Sequence, residues 1–398
     1  MQTIKLPKIT FWRVVFVAIV LAGGYSLIYR LLFGLGASTN LSDAFPWGLW
    51  IGFDVLTGVG LAAGGFTVAA VVHIFHLDKY QPIVRSSILT AFLGYVLVGI
   101  AITIDIGQPW RIWHPIIFHN PHSVMFEVAW CVILYTTVLA LEFSPLVTER
   151  LGLRKLTHIL HTVMVPIVIA GVILSTLHQS SLGTVYLIVP GKLHALWYSP
   201  LLPVFFFISA ISVGLAMVIF ESGLSSRAFG HHFSMPVLTG IARALVVILA
   251  ILAVLRIDDL IRRDALHYLF ESSTESYLFL LEFVMGILVP IVMLAIQRVR
   301  HHPQMLFLAA TLAVLGFVLN RLNVSITGMQ AYAGVNYFPN WMELSVTGLF
   351  VAIAFAAFAW ATKNLPVITH EPVHSDVVVG SLRAARPKAK VLPQSTAA

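Results

Sequence analysis

The chain has one cysteine, Cys131, so an internal disulfide is excluded. A thiolate-ligated iron–sulfur cluster takes about four cysteines and is excluded with it. Charge is nearly as scarce: 10% of the 398 residues are Asp, Glu, Lys or Arg, where soluble globular proteins carry about 25%. With 59% hydrophobic residues and a mean hydropathy of +0.91, most of the chain belongs in lipid. Zinc-type ligand spacing, a P-loop and a GxGxxG in a strand-to-helix setting are all missing. The formal charge of +7 is scattered over loops, so it does not mark a nucleic-acid partner. Electrons that reach this chain must come from another subunit or a non-thiolate cofactor.

What is present is a series of long apolar runs. Crossing the hydrocarbon takes about 20 apolar residues as a helix. Ten stretches qualify: residues 11–32, 47–75, 87–104, 124–143, 159–177, 201–220, 237–255, 277–296, 305–319 and 344–361. The first resembles a signal peptide in its charged start, but it runs on without a small-residue cleavage site and is read as a span. The expected fold is an all-α polytopic membrane bundle.

Lys and Arg counts orient it. With the N-terminus inside, sixteen fall on inner segments and five (Arg111, Lys192, Arg262, Arg263, Arg321) on outer loops, which predicts both termini cytoplasmic. Residues 1–362 form the membrane domain in this reading. Residues 363–398, rich in Pro, Val, Ala and Lys, form a cytoplasmic and mostly disordered tail. The outer loops are long and full of Trp, Tyr, His and Pro, as docking surfaces are. No inverted pair of Gly/Pro-broken helices stands out, which argues against a transporter.

Intramembrane carboxylates are expensive and default to functional hypotheses. Asp54 falls in the outer third of the second span, Asp105 at the outer end of the third, and Glu127 one turn into the fourth. His178 closes the fifth span on the outer side, and Glu282 lies about one and a half turns into the eighth. Each alone reads equally as a cap or a snorkelling residue. Together, with Trp47 as an aromatic wall, they predict one polar pocket at the outer level. Toward the cytoplasm lie Arg85, Glu142, Glu221, His73 and His161, with Tyr95 between the two sets. These suggest a broken proton path, carried chiefly by Glu221, Arg85 and Glu142. A haem would need two imidazoles facing across helices. Helix 5 has His161 and His178, but helix 2 has only His73 and His76 at its inner end, so a haem b is not expected. The pocket suits a quinone: its reduction takes two electrons and two protons, and the protein supplies position, hydrogen bonds and proton delivery.

At these residues the sequence resembles the NrfD/polysulfide-reductase family of membrane subunits, and within it the hydrogenase-2 HybB-type branch. The resemblance runs from about Arg30 to Phe350. It is carried by Arg30-Leu31-Leu32-Phe33-Gly34-Leu35-Gly36, Phe45-Pro46-Trp47-Gly48, Asp54, Ala63-Gly64-Gly65, Gln81-Pro82-Ile83-Val84-Arg85 and Gly94-Tyr95. It continues through Ile102-Thr103-Ile104-Asp105-Ile106-Gly107, Phe126-Glu127, Leu141-Glu142-Phe143, His178-Gln179-Ser180-Ser181 and Ile219-Phe220-Glu221. The resemblance implies about ten helices and no tightly bound redox cofactor. It also implies exchange of electrons between a quinone pool and a periplasmic ferredoxin-like Fe–S subunit fed by a catalytic redox enzyme, in a bacterial inner membrane. The family's proton and quinone residues would fall on Tyr95, Glu127, His178, Glu221, Arg85 and Asp105. A proton channel or transporter, and a passive anchor for soluble subunits, are the competing readings.

Overall fold

A computed structural model describes residues 10–188, 191–230 and 234–367. Among these, ten helices are long and apolar enough to span a membrane: α1 (Phe11–Phe33), α2 (Trp50–Ile74), α3 (Asp78–Asp105), α4 (Val124–Arg150), α5 (Met164–Val185), α6 (Leu202–Ala228), α7 (Met235–Arg262), α8 (Thr274–Ala295), α9 (Pro303–Ala333) and α10 (Trp341–Asn364). Among the described residues no strand forms; one isolated bridge joins Ser42 and Phe45. In lipid every backbone polar group must be satisfied within the chain, which leaves the helix as the form for these runs.

The helices group as α2–α5 and α6–α9, joined where α2 and α5 meet α6 and where α2 meets α9, while α1 lies along α10 and α10 leans on α3. Small residues set the closest crossings: a Cβ on Gly214 would meet the backbone of Ala63 and Gly64, and Gly286 and Gly316 stand in the same relation between α8 and α9. Small side chains let backbones approach in this way, because lipid supplies no hydrophobic drive to hold helices together. We call the two ends of the bundle the Asp105 end, which the Lys/Arg count puts outside, and the Arg85 end.

Three spans differ from the sequence expectation. The fifth starts at Met164, and Arg154–Thr162 is a separate short helix. That helix packs Leu160 inward and leaves Leu156 and Ile159 exposed. The ninth does not stop at residue 319 but runs through Arg321 and Asn323 to Ala333. Arg321 is therefore buried inside α9, 1% exposed, and is not an outer-loop residue. The tail boundary also moves: Lys363 and Asn364 still belong to α10, and Val367 is fully buried. Residues 368–398, the rest of the expected tail, lie outside the described residues.

Helix α2 is locally widened. Trp50–Thr57 and Ala70–Ile74 form π-helical turns, and the Thr57 hydroxyl donates to the Gly52 carbonyl at 3.1 Å. Such turns re-aim side chains and recur at functional sites. Asp54 sits within the first of them.

Candidate functional site

The polar residues separate into three places, with α3 as the partition between the first two. On one side of α3 a cavity of about 560 Å³ opens between α2, α3, α6 and α10. Its walls are apolar, among them Phe53, Leu61, Leu97, Val98, Phe220, Phe350 and Phe355. Phe355 is 58% exposed on the perimeter of the bundle, so the cavity is a cleft facing the lipid. One carboxylate stands toward each end. Asp54, nearer the Asp105 end, accepts a hydrogen bond from Thr347 at 2.9 Å. Glu221, nearer the Arg85 end, accepts one from Thr90 at 2.6 Å.

On the other side of α3 lies a buried polar lane against α4 and α5. Glu127, Cys131, Tyr135 and Glu142 follow one face of α4, because steps of four and seven residues repeat on a helix. Glu127 is exposed at the Asp105 end, while Cys131, Tyr135 and Glu142 are buried. The Tyr95 ring meets Tyr135 edge-on at 4.5 Å and His178 at 5.6 Å. The hydroxyls of Tyr95, Tyr135 and Ser175, both ring nitrogens of His178 and one oxygen of Glu142 are buried without a hydrogen bond of ordinary geometry among the described residues. Buried polar groups in folded proteins are satisfied by protein or by ordered water. Within the row the side chains are one another's nearest polar neighbours: Tyr95 is beside Gln179 and Ser175, and Tyr135 is beside Ser175.

The third place is structural. Glu282, at the centre of α6–α9, accepts from Arg256 at 2.7 Å, Asn320 at 3.0 Å, Asn323 at 2.7 Å and Trp197 at 3.3 Å. The Arg321 guanidinium lies between the Phe206 and Phe317 rings, at 3.7 and 4.3 Å from their centroids. All of these but Asn323 line a small cavity of about 50 Å³. Beside it, His194 in the 191–201 loop accepts from the Leu196 amide at 3.3 Å. Burial holds its pKa below the ordinary imidazole value against the pull of Glu275 and Glu271.

The single outer pocket expected from the sequence does not form. Asp54 lines the cleft, whereas Asp105, Glu127, His178, Trp47 and Glu282 do not. The five carboxylate and imidazole groups do not converge: His178 packs on Tyr95, about 15 Å into α3 from Asp105, and Glu282 belongs to the α6–α9 group. Asp105 lies beside Arg30, and Arg30 donates to the carbonyls of Ile104 at 2.9 Å and Ile106 at 2.7 Å, closing the end of α3. Asp54 and Asp105 remain within electrostatic range of each other. Trp47 packs edge-on against Tyr186 at 5.7 Å. The proposed inner route also divides. Arg85 pairs with Glu149 at 3.2 Å and donates to the Pro366 carbonyl at 3.0 Å, so it ties chain segments together. Glu142 belongs to the lane and Glu221 to the cleft.

Sequence reasoning missed Tyr135, Ser175, Cys131, Thr90 and Thr347. The Glu127–Cys131–Tyr135–Glu142 spacing was a readable signal for the first and third. The two threonines carried none, since a threonine in a span most often bonds its own backbone.

The family model for polysulphide reductase, NrfD matches residues 37–333. A protein of Escherichia coli (strain K12), the probable Ni/Fe-hydrogenase 2 b-type cytochrome subunit, is 38% identical over 347 residues, covering 86% of this chain and 88% of that one. The integral membrane subunit of the menaquinone reductase of Nitratidesulfovibrio vulgaris is 28% identical over 397 residues, covering 92% and 94%. A putative dimethyl sulfoxide reductase membrane subunit of Halobacterium salinarum is 25% identical over 392 residues, covering 93% and 88%.

The "b-type cytochrome" in the first of those names implies a haem, and among the described residues the histidine contacts do not fit one. Bis-histidine ligation needs two imidazoles facing each other through the plane of the macrocycle, with the iron between their ring nitrogens. Among the described residues, fully buried His178 has the Tyr95 ring against it, and His194 is packed by Trp197, Tyr268 and Tyr332. His73 and His161 are near one another at the Arg85 end, but the ring of exposed His161 is 3.4 Å from Glu149.

Proposed function

Since the chain belongs to the polysulphide reductase, NrfD family, we propose that it is the membrane subunit through which a redox enzyme exchanges electrons with the quinone pool. The observation that carries this reading is the cleft beside α3: apolar walls, a mouth on the lipid side, and Asp54 toward the end nearest the aromatic loops. A quinone enters from the membrane with its isoprenoid tail along the apolar wall and its headgroup at Asp54. Reduction of the headgroup takes two electrons and two protons. The electrons come from a docked Fe–S subunit, the natural place being the Asp105 end, where Trp110, Trp113 and Phe118 are exposed. Asp54, backed by Thr347 and near Asp105, gives one of the two protons to the nearer headgroup oxygen and recovers it from the outer side, and the far oxygen takes the second from solvent at that same end. The bacterial inner membrane, with both termini cytoplasmic, is the setting this reading takes, as is a ferredoxin-like partner on the periplasmic face.

A photoreactive azidoquinone tests the site. Irradiated with the purified protein and digested, it should mark peptides of α2 around Phe53 and of α3 around Gly94 and Val98, and excess quinone should suppress the mark. Labelling confined to other helices would move the site.

The lane is proposed as a separate proton route, coupled to this chemistry across α3, entered at Glu127 and passing Tyr95, His178, Tyr135 and Glu142. His178→Phe and Glu127→Gln should assemble with their partners yet lose about 10-fold or more of quinone-linked turnover, within the range of general acid–base effects. Full turnover in both variants would leave the lane with a packing role alone, as a passive anchor predicts.

A further inference from the structure

Two ends of the lane differ. At the Asp105 end it reaches exposed Glu127. At the Arg85 end the α4 face continues from Glu142 through Leu146 to Glu149, a rise of about 10 Å. Glu149 is in contact with Arg85 and His161. Between the two glutamates the polar row stops. Leu146 packs with Leu89 of α3, Ala361 of α10 and Val367, all 3% exposed or less. Of these four, only Val367 is not carried by a spanning helix. It lies beyond the end of α10, in a short strap of residues 365–367 that turns back under the bundle. The strap is latched by the Arg85 guanidinium, which donates to the Pro366 carbonyl while it pairs with Glu149.

We propose that residues 365–367 are the seal of the lane at the Arg85 end: Val367 completes an apolar septum that keeps water on that side from Glu142, and Arg85 holds it closed. The proposal deepens the reading of the lane as a proton route and rests on it for its meaning. With the septum shut, the lane exchanges protons only at the Glu127 end. Lifting three residues opens it to the other face without moving a spanning helix. Arg85 suits a latch because its two terminal nitrogens hold the Pro366 carbonyl and the Glu149 carboxylate at once, which ties the strap to α4.

A cysteine at the septum reads the closure directly. In the full-length protein with Cys131→Ser, the reporter is Leu146→Cys, and the probe is a charged methanethiosulfonate reacted with protein in nanodiscs. Adding Val367→Asn should raise the labelling rate about tenfold, because a polar side chain gives up the burial that keeps the strap seated. Val367→Leu, which keeps that burial, should label as slowly as Val367 itself. If Val367→Asn does not purify as a monodisperse protein, Val367→Thr makes the same contrast. Equal rates for the polar and apolar variants, with unchanged melting temperatures, would overturn the seal. Labelling does not depend on turnover, so the seal and the proton route fail separately: a strap-dependent rate stands even where His178→Phe leaves turnover intact.

Discussion

Asp54→Asn should remove quinone-linked turnover by about 10²-fold or more, the size of effect expected when a positioned proton donor is lost, while the protein still assembles and melts as before. The substitution is nearly isosteric. The amide oxygen of Asn still accepts from the Thr347 hydroxyl, which meets Asp54 at 2.9 Å, so the π-helical turn of α2 and its contact with α10 are kept. What goes is the transferable proton beside the headgroup, together with the charge that couples Asp54 to Asp105. Thr347→Val is the companion. It leaves the acid and removes the bond that orients it, so its loss should be smaller and should appear in KM as well as in kcat. Turnover within a factor of about two of the parent in Asp54→Asn would place the proton donor elsewhere, with Glu221 as the next candidate in the same cleft.

The second large effect is on folding. Glu282→Ala should cost about 3–5 kcal/mol, the range for removing one partner of a buried ion pair, and a domain commonly has only about 5–15 kcal/mol in hand. The carboxylate is fully buried, as its side chain has 0% exposure, and is the acceptor for Arg256, Asn320, Asn323 and Trp197. Its loss strands two guanidinium groups, since Arg321 pairs directly with no carboxylate among the described residues. Yield of folded protein in detergent and its melting temperature are the measurements. Glu282→Gln keeps an oxygen for the amide and indole donors and should lose less. Replacing both ends of the pair, Arg256→Met with Glu282→Met, should recover part of the loss, because one of the two charges that would be left alone is gone too. Equal melting temperatures for Glu282→Ala and the parent would mean that water repays the arginines, and the network would not hold α6–α9 together.

The ten spans were legible because length and hydropathy alone decide what crosses a bilayer. Depth was legible only in part: Glu127 opens α4 and Asp105 ends α3, but His178 does not close α5 and stands against Tyr95 in the middle of α3. Their directions were not legible. These helices are apolar on nearly every side, so no periodic stripe in the sequence says which way a lone carboxylate turns. Glu127 shares a face of α4 with Tyr135, whereas Asp105 meets Arg30 of α1, and Glu282 belongs to the other four-helix group. The π-helical turn under Asp54 shifts its direction further, and that turn has no composition signal. The start of α5 was misplaced because Ile159 and Leu160 extend the apolar run across the break at Val163. The end of α9 was misplaced for the opposite reason. Asn320, Arg321 and Asn323 read as loop until their partners on α6 and α8 are known.

One helix, α3, has Thr90, Gly94 and Val98 against the cleft and Tyr95 against the lane. A helix with its side chains is about 10 Å across, and a unit charge felt over that distance is worth about 1.5 kcal/mol at an effective dielectric constant of about 20. Each electron that arrives on the headgroup therefore alters the energy of a proton beyond the partition by its field alone. The two compartments need no shared atom to keep in step.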